Sequence, residues 1–210
     1  MKRTLKNSIA IIYLFLTAII GSVILVLNST IIYKLSIPML KIMDKVTIPR
    51  EKVIEDYTRV INYIRNPFIE KLNLENFKMS GEGEIHFYEV KEIIVSLEII
   101  FIMLIVIGII IFLLNKRKVI KFPIESFKYT FNFTLIAFTS LLIAFYVDFN
   151  YIFNKFHGIF FNNNYWIFDP KKDPIINVLP ENYFMLCAVV VILFTIIITL
   201  ILRTIYKKIK

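Results

Sequence analysis

Only one cysteine, two histidines and few charged residues occur in this 210-residue chain. A lone thiol forms no internal disulfide, and it excludes both a disulfide scaffold and a cysteine-based structural zinc site. Charged residues make up 20% of the sequence while apolar ones reach 58%. Ordinary soluble domains sit near 45–50% apolar and about 25% charged. Disorder is excluded as well, because so apolar a chain does not stay solvated. No repeat or low-complexity segment is present. The formal charge of +9 admits nucleic acid or a membrane as partner, and its placement along the chain decides between them.

What the chain has in abundance is apolar sequence. About twenty apolar residues in a helix rising about 1.5 Å each cross a hydrocarbon core of about 30 Å. Four segments meet or approach that length: 9–32, 93–114, 131–147 and 183–202. The first is too long for a signal peptide's apolar region, which runs 7–15 residues, and reads as a retained anchor. The expected fold class is therefore an all-α integral membrane protein: one membrane domain over 1–210, with four transmembrane helices and a small extracytoplasmic helical cap.

Basic residues set the orientation. The amino terminus, the loop between the second and third spans, and the tail together hold twelve bases against one acid, Glu125. The two long loops, 33–92 and 148–182, balance at thirteen bases against fourteen acids. Both termini are thus expected in the cytoplasm and both long loops outside. The positive charge is topological, and no nucleic-acid partner is implied. Within 33–92, Val53, Tyr57, Val60, Ile61 and Ile64 recur at helical spacing, with Arg50, Glu51, Lys52, Glu55, Asp56 and Arg59 on the other face. That pattern predicts an amphipathic helix on the membrane surface or over the bundle's outer end.

Both histidines, His86 and His157, fall on the expected outer side, close to the membrane interface. Imidazole both takes and gives a proton near neutral pH. Two facing one pocket would serve as base and acid on either side of an acyl group. Aromatic residues crowd the same regions, Tyr88, Tyr146, Phe156, Phe160, Phe161 and Trp166 among them, and an apolar pocket strengthens proton transfers and hydrogen bonds. Interface belts account for many of these rings. Glu89, Asp148 and Asp169 are candidate carboxylates for orienting an imidazole. Glu98, about five residues inside the second span, is an expensive intramembrane carboxylate.

The block from Gly81 to Lys91 around His86, followed by Phe156-His157, Phe161, Trp166-Ile167-Phe168-Asp169-Pro170, Asp173-Pro174 and Leu179-Pro180-Glu181, resembles the lipoprotein intramolecular transacylases, the Lit family. The resemblance covers nearly the whole chain. Glu89 stands where that family usually has aspartate. The resemblance implies that the acyl chain on the glyceryl sn-2 oxygen of a diacylglyceryl-cysteine lipoprotein moves to the amino group of the same cysteine, giving a lyso-form lipoprotein. It further implies catalysis by His86 and His157, with no cofactor and no metal. The expected partners are the diacylated lipoprotein in the outer leaflet and membrane lipids, and the expected location is a bacterial cytoplasmic membrane with the active site outside. Two other readings stand beside it. A metal-dependent membrane hydrolase would use the two histidines and a carboxylate, although no His-Glu-x-x-His spacing occurs. A non-catalytic membrane scaffold or subunit would tolerate loss of both histidines.

Overall fold

The computed structural model describes residues 2–210; the side chains of Lys2 and Arg3, part of the basic amino terminus, lie outside the described residues. Among the described residues, helices are the only regular structure and no strand occurs. Its helices are α1 (Lys2–Leu27), α2 (Thr30–Met39), α3 (Arg50–Arg65), α4 (Gly81–Lys116), α5 (Glu125–Phe160) and α6 (Glu181–Ile209), with 3₁₀ turns at Ile42–Lys45 and Pro174–Asn177. Four of them, α1, α4, α5 and α6, are long and apolar enough to cross a membrane. The contacts divide into two compact units, one of residues 1–25, 97–144 and 189–210, the other of residues 26–96 and 145–188.

The first unit is a bundle built on α1. Its side chains meet α4 and α6 through small and polar contacts, a means by which helices associate in lipid, and α5 through an aromatic pair. Tyr13 donates to the Leu104 carbonyl on α4 at 2.8 Å, and a Cβ on Gly108 would lie 2.5 Å from the Tyr13 hydroxyl. Glycine there is what lets α1 and α4 approach. Phe15 packs edge-on against Phe133 of α5 at 5.0 Å between ring centroids. Thr195 of α6 donates to Ser22 at 3.0 Å, and the Ser22 hydroxyl donates in turn to the Ala18 carbonyl at 2.8 Å. Ile99, Ile102, Val106, Ile109 and Phe112 of α4 are exposed, as lipid-facing residues should be.

The second unit has a conventional buried core. Tyr33 of α2 stacks on Tyr57 of α3 with centroids 3.7 Å apart. The hydroxyls of Tyr57 and Tyr183 are 2.7 Å apart, and Tyr33 donates to the Val178 carbonyl at 2.9 Å. Val53, Val60, Ile61, Ile64, Leu72, Phe77, Phe87 and Ile175 close around them. The predicted apolar face of α3 is this core face and does not lie on a lipid surface. Asp56, expected on the polar face, is fully buried. Its oxygens accept the backbone N–H groups of Glu75 and Asn76 at 3.1 and 2.8 Å, so the following loop supplies its hydrogen bonds in place of water.

Two element boundaries differ from the sequence expectation. The apolar run 9–32 is divided at Asn28 and Ser29, residue types that favour caps over helix interiors. The segment after residue 147, expected as loop, stays helical to Phe160. Asp148 alone is non-helical (φ −161°, ψ 90°), and its Oδ1 accepts the Tyr151 N–H at 2.9 Å. That is an N-cap contact, and it starts a fresh helix directly after the break. The histidine at 157 therefore rides on a helix.

Candidate active site

The site is assembled within the second unit from the start of α4, the last three turns of α5 and the chain that follows. Ser80 caps α4, its hydroxyl accepting the Gly83 N–H at 3.0 Å. Asp173, only 3% exposed, fixes Ser80 by accepting its N–H at 2.7 Å and its hydroxyl at 2.8 Å. Gly83 permits this approach, since a Cβ there would sit 2.6 Å from Asp173 Oδ1. Lys91, also buried, donates to the Ile69 carbonyl and lies 4.7 Å from the Tyr63 ring centroid, holding the loop after α3. Sequence reasoning assigns no role to Ser80 or Lys91. A serine three residues before Gly83 is the local signal for the first, whereas nothing local marks the second.

These contacts present His86 from α4 opposite His157 from α5, with ring centroids 6.1 Å apart and planes inclined by 38°. Phe161 bridges them, edge-on to His86 at 4.8 Å and stacked on His157 at 5.6 Å. Trp166 stacks on the His157 ring at 4.5 Å. Phe153 lies 4.2 Å from it on the preceding turn. Phe168 closes on His86 at 5.5 Å. Phe153 and Phe168 thus complete a wall whose other members are Phe161 and Trp166.

His157 Nδ1 lies 2.8 Å from the Phe153 carbonyl oxygen. A carbonyl only accepts, so Nδ1 carries the proton and Nε2 keeps its lone pair. The bond spans four residues, which a helix supplies and a loop does not. His86 is 7% exposed, and its Nδ1 is buried without a hydrogen-bond partner. In the sequence both histidines lie outside the apolar runs 93–114 and 131–147 of these helices. Burial, and secondarily the neighbouring His157, lowers the His86 pKa to about 4. Burial also lowers the His157 pKa, opposed by the Phe153 bond and the charge of Glu181.

The remaining expected site residues divide clearly. Glu89, half-buried one turn after His86, accepts the Asn163 side-chain N–H at 2.6 Å. Phe156 meets the edge of His157 at 5.6 Å, and Phe160 packs on Phe156 at 4.6 Å; both are half exposed. Tyr88 points away, donating to Glu92 at 3.0 Å. Tyr146 is 93% exposed. Asp148 caps the second part of α5, and Asp169 is turned to the Lys171 N–H at 2.9 Å. None of these last four is brought to the histidines. Among the described residues, no group of three or more His, Cys, Asp and Glu side chains is placed to hold a metal ion.

The arrangement offers one imidazole nitrogen as acceptor, one neutral desolvated imidazole, and aromatic walls. That is equipment for proton transfer at an acyl group in a dry site. Comparison with known proteins agrees with this class. The family model described as lipoprotein intramolecular transacylase Lit matches residues 8–184. The solved structure of the membrane-integral lipoprotein intramolecular transacylase Lit from Bacillus cereus is similar, with a TM-score of 0.87 and 28% identity, covering 99% of this chain and 95% of that one. Variants of that protein with a histidine changed to arginine (TM-score 0.82, 26% identity, 99% and 91% covered) and to alanine (0.80, 28%, 99% and 93%) are similar too. No curated protein sequence matches.

Proposed function

The chain belongs to the lipoprotein intramolecular transacylase family, Lit, a family of membrane-integral acyltransferases, and on that premise we propose that His86 and His157 carry its reaction. The substrate in this reading is a lipoprotein whose amino-terminal cysteine bears a diacylglyceryl group, in the outer leaflet. The sn-2 acyl chain moves to the cysteine's own amino group. Basic residues at both termini and in the 116–128 loop support a cytoplasmic placement for these segments, with the histidines on the opposite side.

The path from nitrogen to carbonyl carbon closes an eight-membered ring: carbonyl carbon, ester oxygen, two glyceryl carbons, sulfur, Cβ, Cα and nitrogen. Holding such a flexible chain folded back is worth roughly 7–11 kcal/mol. An aromatic, confined site suits that task. The free amine attacks the ester carbonyl, and His157 Nε2 takes the proton released from nitrogen. The adduct then collapses: the carbonyl carbon parts from the glyceryl oxygen, which takes the proton back from His157. One C–N bond forms and one C–O bond breaks.

His86 plays a different part. With a pKa of about 4 its imidazolium is about one part in a thousand of the population at pH 7. It serves as a neutral N–H donor to the developing oxyanion, which needs no proton to be given up. The observation carrying this reading is the histidine pair itself, with Nδ1 of His157 tied to a carbonyl.

The test is tandem mass spectrometry of the amino-terminal peptide of a reporter lipoprotein, from cells with and without this protein. Intramolecular transfer leaves intact mass unchanged, so fragmentation must locate the acyl group. An N-acyl cysteine fragment that requires the protein, and disappears with His86→Ala or His157→Ala, is expected. A free amine despite good expression refutes the assignment, and full activity in both variants refutes the pair.

A further inference from the structure

Glu89 has work left undone by the two-histidine scheme. It follows His86 by three residues on α4, a spacing that puts both side chains on one face. Its Oε1 accepts the Asn163 amide at 2.6 Å. Asn163 is oriented in turn, because its Oδ1 accepts the Tyr165 N–H at 2.9 Å. The other carboxylate oxygen, Oε2, is buried with no hydrogen-bond partner. His86 Nδ1, one turn earlier, is buried and unpartnered as well.

A buried carboxylate oxygen without a donor is among the costlier arrangements in a protein. A chain that retains one calls for an explanation, of which a ligand's donor is one. One turn earlier, His86 lies among aromatic rings, with Phe161 edge-on at 4.8 Å and Phe168 at 5.5 Å. A carboxylate oxygen shielded from water and lacking a donor suits a cation with N–H groups. On the transacylase reading, the substrate brings one such group into this region: the α-ammonium of the lipidated cysteine, with three donors.

We propose that Glu89 is the receptor for this ammonium, and that Asn163 holds the carboxylate in place for it. The contact holds the substrate's amino end one turn from His86. The ammonium releases one proton to solvent, and the resulting amine attacks the ester and gives its next proton to His157. The carboxylate offsets the positive charge that nitrogen acquires on attack. It also distinguishes substrate from product. Once the nitrogen is acylated it is a neutral amide, the ion pair is gone, and the product is held less tightly. This inference rests on the transacylase reading and adds amine selectivity to it.

The experiment uses two unreactive ligands. One is a lipidated cysteinyl peptide with ether-linked chains and a free amine; the other is identical but lacks the amino group. Binding of each to the purified full-length protein in micelles is measured by calorimetry. The wild type is expected to bind the amine ligand at least tenfold more tightly. That preference should fall to within twofold in Glu89→Gln, with affinity for the des-amino ligand unchanged, and persist in Glu89→Asp, which keeps the charge. Equal binding of both ligands by the wild type overturns the proposal without reference to any variant, and so does a preference retained in Glu89→Gln. A wild type that forms N-acyl cysteine yet shows no preference refutes this inference alone. Absence of N-acyl product refutes the reading beneath it.

Discussion

With two histidines in the whole chain, imidazole titration is a two-signal experiment. Protein labelled with ¹⁵N-histidine should give one ring that titrates near pH 4, His86, and one that titrates below the ordinary 6.5, His157. The displacement for His86 is about two and a half units, roughly 3 kcal/mol at 1.36 kcal/mol per unit. Its main cause is burial, followed by the charge of His157. His157→Gln leaves a single signal and identifies it. It should also raise the remaining pKa, though not to 6.5, because the larger cause persists. The nitrogen shifts should further show neutral His157 protonated at Nδ1. The same displacement bears on stability. His86 binds its proton more readily in the unfolded chain, so its contribution is fully present above pH 6.5 and is lost progressively as pH falls toward about 4. A His86 ring that titrates at 6.5 or above refutes the burial argument and, with it, the neutral-donor role.

Other outcomes follow from the same geometry. Removing buried Asp173 by Asp173→Ala deletes two charge-assisted hydrogen bonds to half-buried Ser80 and should destabilise by about 3–5 kcal/mol, seen as a lowered Tm in micelles; Asp169→Ala, in an exposed turn, should change it little. The rate constant kcat/KM should rise toward pH 8 as the substrate amine (pKa about 7.7–8.0) loses its proton. Its fall on the acid side should steepen only at a pH below the ordinary imidazole value of about 6.5, because burial lowers the His157 pKa and a protonated His157 accepts nothing. An optimum on the acid side of 6 contradicts that scheme. Trp166→Leu should slow turnover by up to about tenfold, the worth of an aromatic stack of about 0.5–1.5 kcal/mol. Tyr146→Ser, at a fully exposed position, should leave the rate within twofold in the same assay.

The sequence by itself determined the class of molecule. Apolar runs of bilayer length force helices because no other open structure satisfies its backbone in lipid. The order of His86, His157, Trp166 and Pro180-Glu181 pointed to the same family that the comparisons identify. Spacing also gave the core face of α3, since Val53, Tyr57, Val60, Ile61 and Ile64 are all buried.

Part of what remained hidden depended on partners far away in the chain. Asp56 looks like a surface acid until the loop at Glu75 and Asn76 arrives to donate to it. The helix carrying His157 was concealed by the asparagines and charge around it, and by a break at Asp148 that the same residue repairs as a cap. Of the acids near the histidines, Glu89 joined Asn163 while Asp148 and Asp169 turned to local backbone, a division that spacing does not encode. The depressed pKa of His86 follows from tertiary burial, whereas the protonated nitrogen of His157 is set by a carbonyl four residues away once the segment is helical. A tautomer is set by the acceptor a ring nitrogen meets, and desolvation by the side chains that close over it.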